Sequence, residues 1–161
     1  MSVYPVMRDP ETQLRLLSFQ SSPSSLTLKC RLEVYVMTDC PPYHAITYAY
    51  GDPACSHRLV LNGEEISMNQ NGYNALQQVR AHGSGAHFWL DFLCIKQTDL
   101  EEKAIQVHKI AKIFAGSFEV WAYLAPHGDD RGSYCRDSRA SLKKTLPEPE
   151  FSPSTNSKRS C

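Results

Sequence analysis

Between residues 44 and 125 the apolar side chains change their repeat several times, and this limits the fold more than any single motif. "HAITYAY", His44 to Tyr50, is short, β-branched and aromatic, and Gly51, Asp52 and Pro53 punctuate its end. From Asn69, "NQNGYNALQQVRAHG" moves to helical spacing with Tyr73, Leu76, Val79 and Arg80, asparagines placed to cap it and Gly83 to stop it. The run His87 to Ile95 reads as a further strand. A second helix follows, with Leu100, Ala104, Val107, Ala111 and Phe114 at steps of three and four, and Ile110 widening that stripe. Thr98 and Glu101 have capping-box spacing, and Gly116 suits the helix end. "FEVWAYLA", Phe118 to Ala125, is the last strand, stopped by Pro126. Strands that alternate with helices in this way pair in parallel through right-handed crossovers. The expected class is α/β, with an open, mostly parallel sheet flanked by helices, similar to flavodoxin-like folds.

Two further β features precede or interrupt that series. "TLKCRLEVYVM", Thr27 to Met37, alternates apolar and polar residues, as expected of an edge or near-edge strand with one wet face. "RLVLNGEEISM" sets Asn62-Gly63 between two apolar stubs, which predicts an antiparallel hairpin closed by a type I′ turn. With 161 residues, 42% of them apolar, the chain has enough material for one core without disulfide staples. After Pro126 aliphatic residues nearly vanish while Ser, Pro, Lys and Arg accumulate, so 126–161 reads as a low-complexity, disordered tail. The expected organisation is an N-terminal extension at 1–13, an α/β domain at 14–125 and that tail.

Charge and cysteine usage narrow the function. Seventeen basic residues balance seventeen acidic ones, which gives no compositional support for a nucleic-acid partner. No apolar stretch approaches the roughly 20 residues that cross a bilayer, and the first residues lack a signal-peptide pattern. A cytoplasmic protein with six reduced cysteines is the expectation. No Cys-x-x-Cys occurs and the six histidines are scattered, so no metal site is expected. Gly83 and Gly85 precede a strand rather than a helix, which excludes a phosphate loop.

One carboxylate stands out. Asp91 sits inside "HFWLDFLCIKQ", a run that looks suited to burial, where an acid must be hydrogen-bonded or stay protonated. Ligands of open parallel sheets bind beyond the carboxyl ends of the strands. Here those ends are Tyr50-Gly51-Asp52, Ile95-Lys96-Gln97 and Ala125-Pro126, and the second helix starts from the same edge with Glu101 and Glu102. Glu102 lies almost opposite the apolar stripe, so core packing does not call for it. It is either a solvated first-turn acid favoured by the helix dipole or a catalytic carboxylate.

"YHAITYAYGD", then "WLDFLCIKQTDLEEKAIQV", then "VWAYLA" together resemble the HET domain, the heterokaryon-incompatibility module of fungi. "QLRLLSF" and "LKCRLEVYVM" resemble the segments that lead into the first motif, so the likeness spans about Leu14 to Ala125. Tyr43, Ala45, Tyr48, Gly51, Asp52, Trp89, Asp91, Cys94, Ile95, Gln97, Glu102, Gln106 and Val107 fall on matching positions. Tyr50, Lys96, Lys103, Tyr123 and Ala125 stand where the family usually has Trp, Asn, Arg, Trp and Gly. The resemblance implies a role in nonself recognition and programmed cell death, alone or with other incompatibility proteins. It also implies a TIR-like fold, and some TIR domains cleave the nicotinamide-ribose bond of NAD with a glutamate. By that analogy Glu102 would be the catalytic residue, with Tyr48, Gly51, Asp52, Asp91, Cys94, Gln97, Lys103 and Gln106 as pocket or motif positions. NAD would then be a substrate, and no cofactor would be required. The alternatives are a non-catalytic, self-associating signalling module and a degenerate, truncated fragment.

Overall fold

The computed structural model describes residues 3–20, 24–82 and 86–124. Ala125, the segment expected to be a polar tail, Gly83 and Gly85 lie outside them.

Seven strands form one sheet in the order β5-β4-β2-β1-β6-β3-β7. In chain order they are β1 (Gln13–Phe19), β2 (Lys29–Val36), β3 (Tyr43–Tyr48), β4 (His57–Leu61), β5 (Glu64–Met68), β6 (His87–Trp89) and β7 (Glu119–Tyr123). The helices are α1 (Gln70–His82), α2 (Asp91–Cys94), α3 (Leu100–His108) and α4 (Ile110–Gly116). The α/β class is as expected, and β6, β3 and β7 form the parallel block predicted from the alternating segments. The sheet as a whole is mixed rather than mostly parallel. Among the described residues, β1 pairs antiparallel with β2 along its whole length and bridges antiparallel to β6, while β4 and β5 form an antiparallel hairpin.

β1 was not foreseen as a strand. It covers one side of β2 along its length, while β4 pairs on the other side only at Lys29 and Cys30, so β2 keeps the near-edge character expected of it, with Cys30 and Leu32 buried. The predicted hairpin is there, and Asn62 and Gly63 both take positive φ, 50° and 87°, as a type I′ turn demands. Asn62 adds bonds of its own, accepting from the Leu32 amide at 2.9 Å and donating to the Val3 carbonyl at 2.8 Å.

The run from His87 is a strand only as far as Trp89. The chain then turns into α2, with Cys94 N bonding Leu90 O at 2.8 Å. Three buried residues, Leu93, Cys94 and Ile95, come from that turn rather than from a β ladder, and Asp91 faces outward. An apolar run of this length serves a buried strand or a buried helical turn equally well.

Alternation along β3 assigns the helices to the two faces of the sheet. Ile46 and Tyr48 face α1, where a Cβ at Gly72 would stand 3.0 Å from the Tyr48 hydroxyl. Tyr43 faces the other way and donates to the Ile113 carbonyl of α4 at 2.6 Å. Trp89 packs edge-on against Phe114 of α4, with 5.5 Å between ring centroids.

The second predicted helix differs in three ways. Asp99, not Thr98, is the N-cap, accepting from Glu102 N at 3.1 Å. Lys109 divides the segment into α3 and α4. The inward face is also inverted: Glu102, Gln106 and Lys109 are buried together with Ile113, whereas Leu100 and Val107 are 78% and 47% exposed. The polar side chains turn inward because they find partners there. Gln106 Nε2 donates to the carbonyls of Pro10 at 2.7 Å and Gln13 at 3.1 Å, and Lys109 Nζ donates to the same two oxygens. Residues 3–12 are thereby tied to the domain, with Met7 buried.

Candidate functional site

Most of the sequence-predicted site residues fall into two groups. The first lies where β3 leaves the sheet. Tyr48 ends the strand, and its hydroxyl is buried with no hydrogen-bond partner among the described residues. Burial, with the nearby charge of Asp91 added, pushes its pKa well above the usual tyrosine value, so it stays a neutral hydroxyl. Gly51 follows with φ 67°, and a Cβ there would meet the Asn71 amide nitrogen at 2.4 Å. Asn69 and Asn71 bind the exit loop to the start of α1 by donating to the carbonyls of Tyr50 at 2.6 Å and Ala49 at 2.9 Å. Asn69 also caps α1, accepting from Gly72 N at 3.1 Å. Asp52 is exposed and accepts from Ala54 N at 2.9 Å.

Asp91 reaches the same edge from β6. It is exposed, in the first turn of α2, and its carboxylate accepts from the Phe92 amide at 2.6 Å. Being exposed, it needs no buried partner. Gln97 closes the following loop, donating to the carbonyls of Asp91 at 3.2 Å and Ile95 at 3.3 Å.

Glu102 belongs to the second group. It does not share a notch with Asp52 and Gln97, nor does it stand in water. Its oxygens accept from Arg15 Nη1 at 2.6 Å and Nη2 at 2.7 Å, a bidentate pair in which Arg15 is 1% and Glu102 9% exposed. Lys96 N adds a third bond at 3.2 Å. Arg15 is held further by the carbonyls of Pro5 at 2.9 Å and Cys94 at 3.3 Å, with the Tyr4 ring 5.3 Å from its guanidinium. The pair lines a cleft of about 350 Å³ with Tyr4, Lys96, Asp99 and Glu101. Arg15 escaped the sequence reading, although an arginine flanked by Leu14, Leu16 and Leu17 was the signal: a cation inside an apolar strand requires an anion facing it.

The remaining positions are structural in their contacts. Cys94 is fully buried, its sulfur accepts from Leu90 N, and burial pushes the thiol up to about 12, far from thiolate chemistry. Gln106 is spent on the carbonyls before and at the start of β1. Lys103 lies half-buried on α3, its amide bonded to Asp99 O at 2.9 Å. Among the described residues no group of His, Cys, Asp and Glu could hold a metal ion.

A sequence model described as heterokaryon incompatibility protein (HET) matches residues 43–160. The chain belongs to the HET family. Heterokaryon incompatibility protein 6, OR allele, of Neurospora crassa is 27% identical over 138 residues, covering 77% of this chain. This HET chain spans about a fifth of the length of that relative, 20%. No solved structure matches it. No helix among the described residues of this HET protein is long and apolar enough to cross a membrane.

Proposed function

We propose that the chain is a cytoplasmic effector module of fungal nonself recognition, a form of innate immunity, and that it promotes programmed cell death through protein contacts rather than through Glu102 chemistry. The observation that carries this reading is the bidentate bond between Glu102 and the buried Arg15. A carboxylate that stabilises a developing ribose cation needs a free oxygen near the substrate, and this one has both oxygens engaged by a guanidinium that is itself inaccessible. The partners are further copies of the chain or other incompatibility proteins.

A second reading, TIR-like cleavage of NAD, is favoured by one feature: Glu102, Arg15 and Lys96 line a cleft whose 350 Å³ falls in the range of small-molecule sites. Expression in a fungal host separates the two. A simple Glu102→Ala change leaves Arg15 buried and unpaired and so confounds lost function with lost fold. The paired swap Arg15→Met with Glu102→Leu removes the chemistry and keeps the volume. Retained killing by the swapped protein, with no nicotinamide released from NAD by purified wild type, supports contact signalling. Nicotinamide release by wild type that disappears in the folded swap overturns it.

A further inference from the structure

Resting on the contact-signalling reading, we infer that the outward face of α3 is where a second copy of the chain docks, antiparallel. Leu100, Ala104 and Val107 follow each other at i, i+4 and i+7 and all three are exposed. Ala111 is exposed in the next segment. An amphipathic helix normally turns such a row toward the core; here Glu102, Gln106 and Lys109 occupy the inward side, and the apolar row has no partner within the described chain.

Charge selects the occupant and its direction. The exposed flank of this row opens with an acid, Glu101, and ends with His108 and then Lys112. When two copies cross antiparallel about a twofold axis between Ala104 and Val107, the acidic start of each lies beside the basic end of the other, and this happens twice by symmetry. Leu100 then meets the alanine end of the opposing row, and Ala104 faces Val107, so large residues fill the space beside small ones. The two helix dipoles are also opposed. A nine-residue helix is about 13 Å long, so the contact falls below the roughly 1,200 Å² of stable complexes. The dimer is weak, and local crowding of chains populates it.

Sedimentation equilibrium over a concentration series tests this with the full chain. Wild type is expected to move from monomer toward dimer mass, with a dissociation constant in roughly the micromolar to millimolar range. Val107→Glu should raise that constant by more than about tenfold with unchanged far-UV circular dichroism. Leu100→Ala, a milder change at a wet position that cannot unfold the domain, should weaken association in the same direction. Glu101→Lys should weaken it, and adding Lys112→Glu should restore it. Wild type that stays monomeric at its highest soluble concentration overturns the inference, as does a Val107→Glu or Leu100→Ala protein that dimerises like wild type, or a charge swap that fails to rescue. Monomeric protein that kills in the fungal host would sink this interface and leave the contact-signalling reading standing; a dimer that does not kill would do the reverse.

Discussion

Removing the Glu102 carboxylate should cost the domain more stability than any other single change in α3. In Glu102→Ala, Arg15 keeps its bonds to the Pro5 and Cys94 carbonyls but loses two charge-assisted bonds of 2.6 and 2.7 Å, and its charge stays buried. Breaking a buried ion pair from one side typically costs about 3–5 kcal/mol. The Lys96 amide also loses its acceptor, and an unsatisfied donor adds roughly 1 kcal/mol unless water reaches it. Against a total stability of about 5–15 kcal/mol, a loss of about 4–6 kcal/mol removes at least roughly a quarter of the margin, and all of it at the low end of that range. Urea denaturation followed by tryptophan fluorescence measures this, because Trp89 is buried in the core. The midpoint should fall with the slope unchanged. Arg15→Met should cost a similar amount, and Arg15→Met with Glu102→Leu should recover most of the loss, leaving a coupling energy of at least about 2 kcal/mol. A Glu102→Ala protein that unfolds at the wild-type midpoint, or single costs that simply add in the double variant, would refute the claim that the pair acts as one buried unit.

Gly51→Ala should destabilise by about 1–2 kcal/mol or more in the same titration, since it combines a φ of 67° with a collision against Asn71. Asn62→Ala should cost about 1–3 kcal/mol, for it removes a residue tolerant of φ 50° and the acceptor of the Leu32 amide. Among the cysteines of the described residues, thiol labelling of the native protein should reach Cys55 first and Cys40 next, and should leave Cys30 and Cys94 untouched until unfolding. Burial raises those two thiols from 9.0 to about 12, so the stability they contribute is complete below pH 9 and is lost as pH climbs toward 12. Chemical denaturation at increasing alkaline pH measures that decline, and Cys94→Ala should flatten it.

How much of this was legible depended on whether a residue's partner was near in sequence. The Asn62-Gly63 turn, the Asn69 cap of α1 and the parallel block of β3, β6 and β7 follow from local patterns and were readable. Asp91 was misplaced because "WLDFLCI" satisfies burial either as strand or as helical turn, and the pairings of β6 with β1 at Phe88 and with β3 as far as Trp89 decide where the strand ends. The inversion of α3 was harder still. Periodicity identifies two faces of a helix and says nothing about which is inside once the polar face has buried partners. Arg15 and the carbonyls of Pro10 and Gln13 are those partners, roughly 90 residues away in the chain.

The same contacts sort the family motif by physical role. Cys94, Gln97, Glu102 and Gln106 each have a structural partner that accounts for the residue type, and together they fasten the segment before β1, the α2 turn and α3 into one body. Tyr48, Asp52 and Asp91 are not explained in this way: among the described residues, one hydroxyl is buried without a partner, and two exposed carboxylates bond only to amides one or two residues further along the chain. An amide side chain can accept those same bonds, so Asp52→Asn and Asp91→Asn should each change stability by less than about 1 kcal/mol. The expected outcome in the fungal killing assay is therefore the opposite of what a catalytic Glu102 requires. Asp91→Asn should lose killing with its fold intact, while the paired swap of Arg15 and Glu102 keeps it. Loss of killing in the folded paired swap, with Asp91→Asn as active as wild type, would return the function to the cleft beside α3.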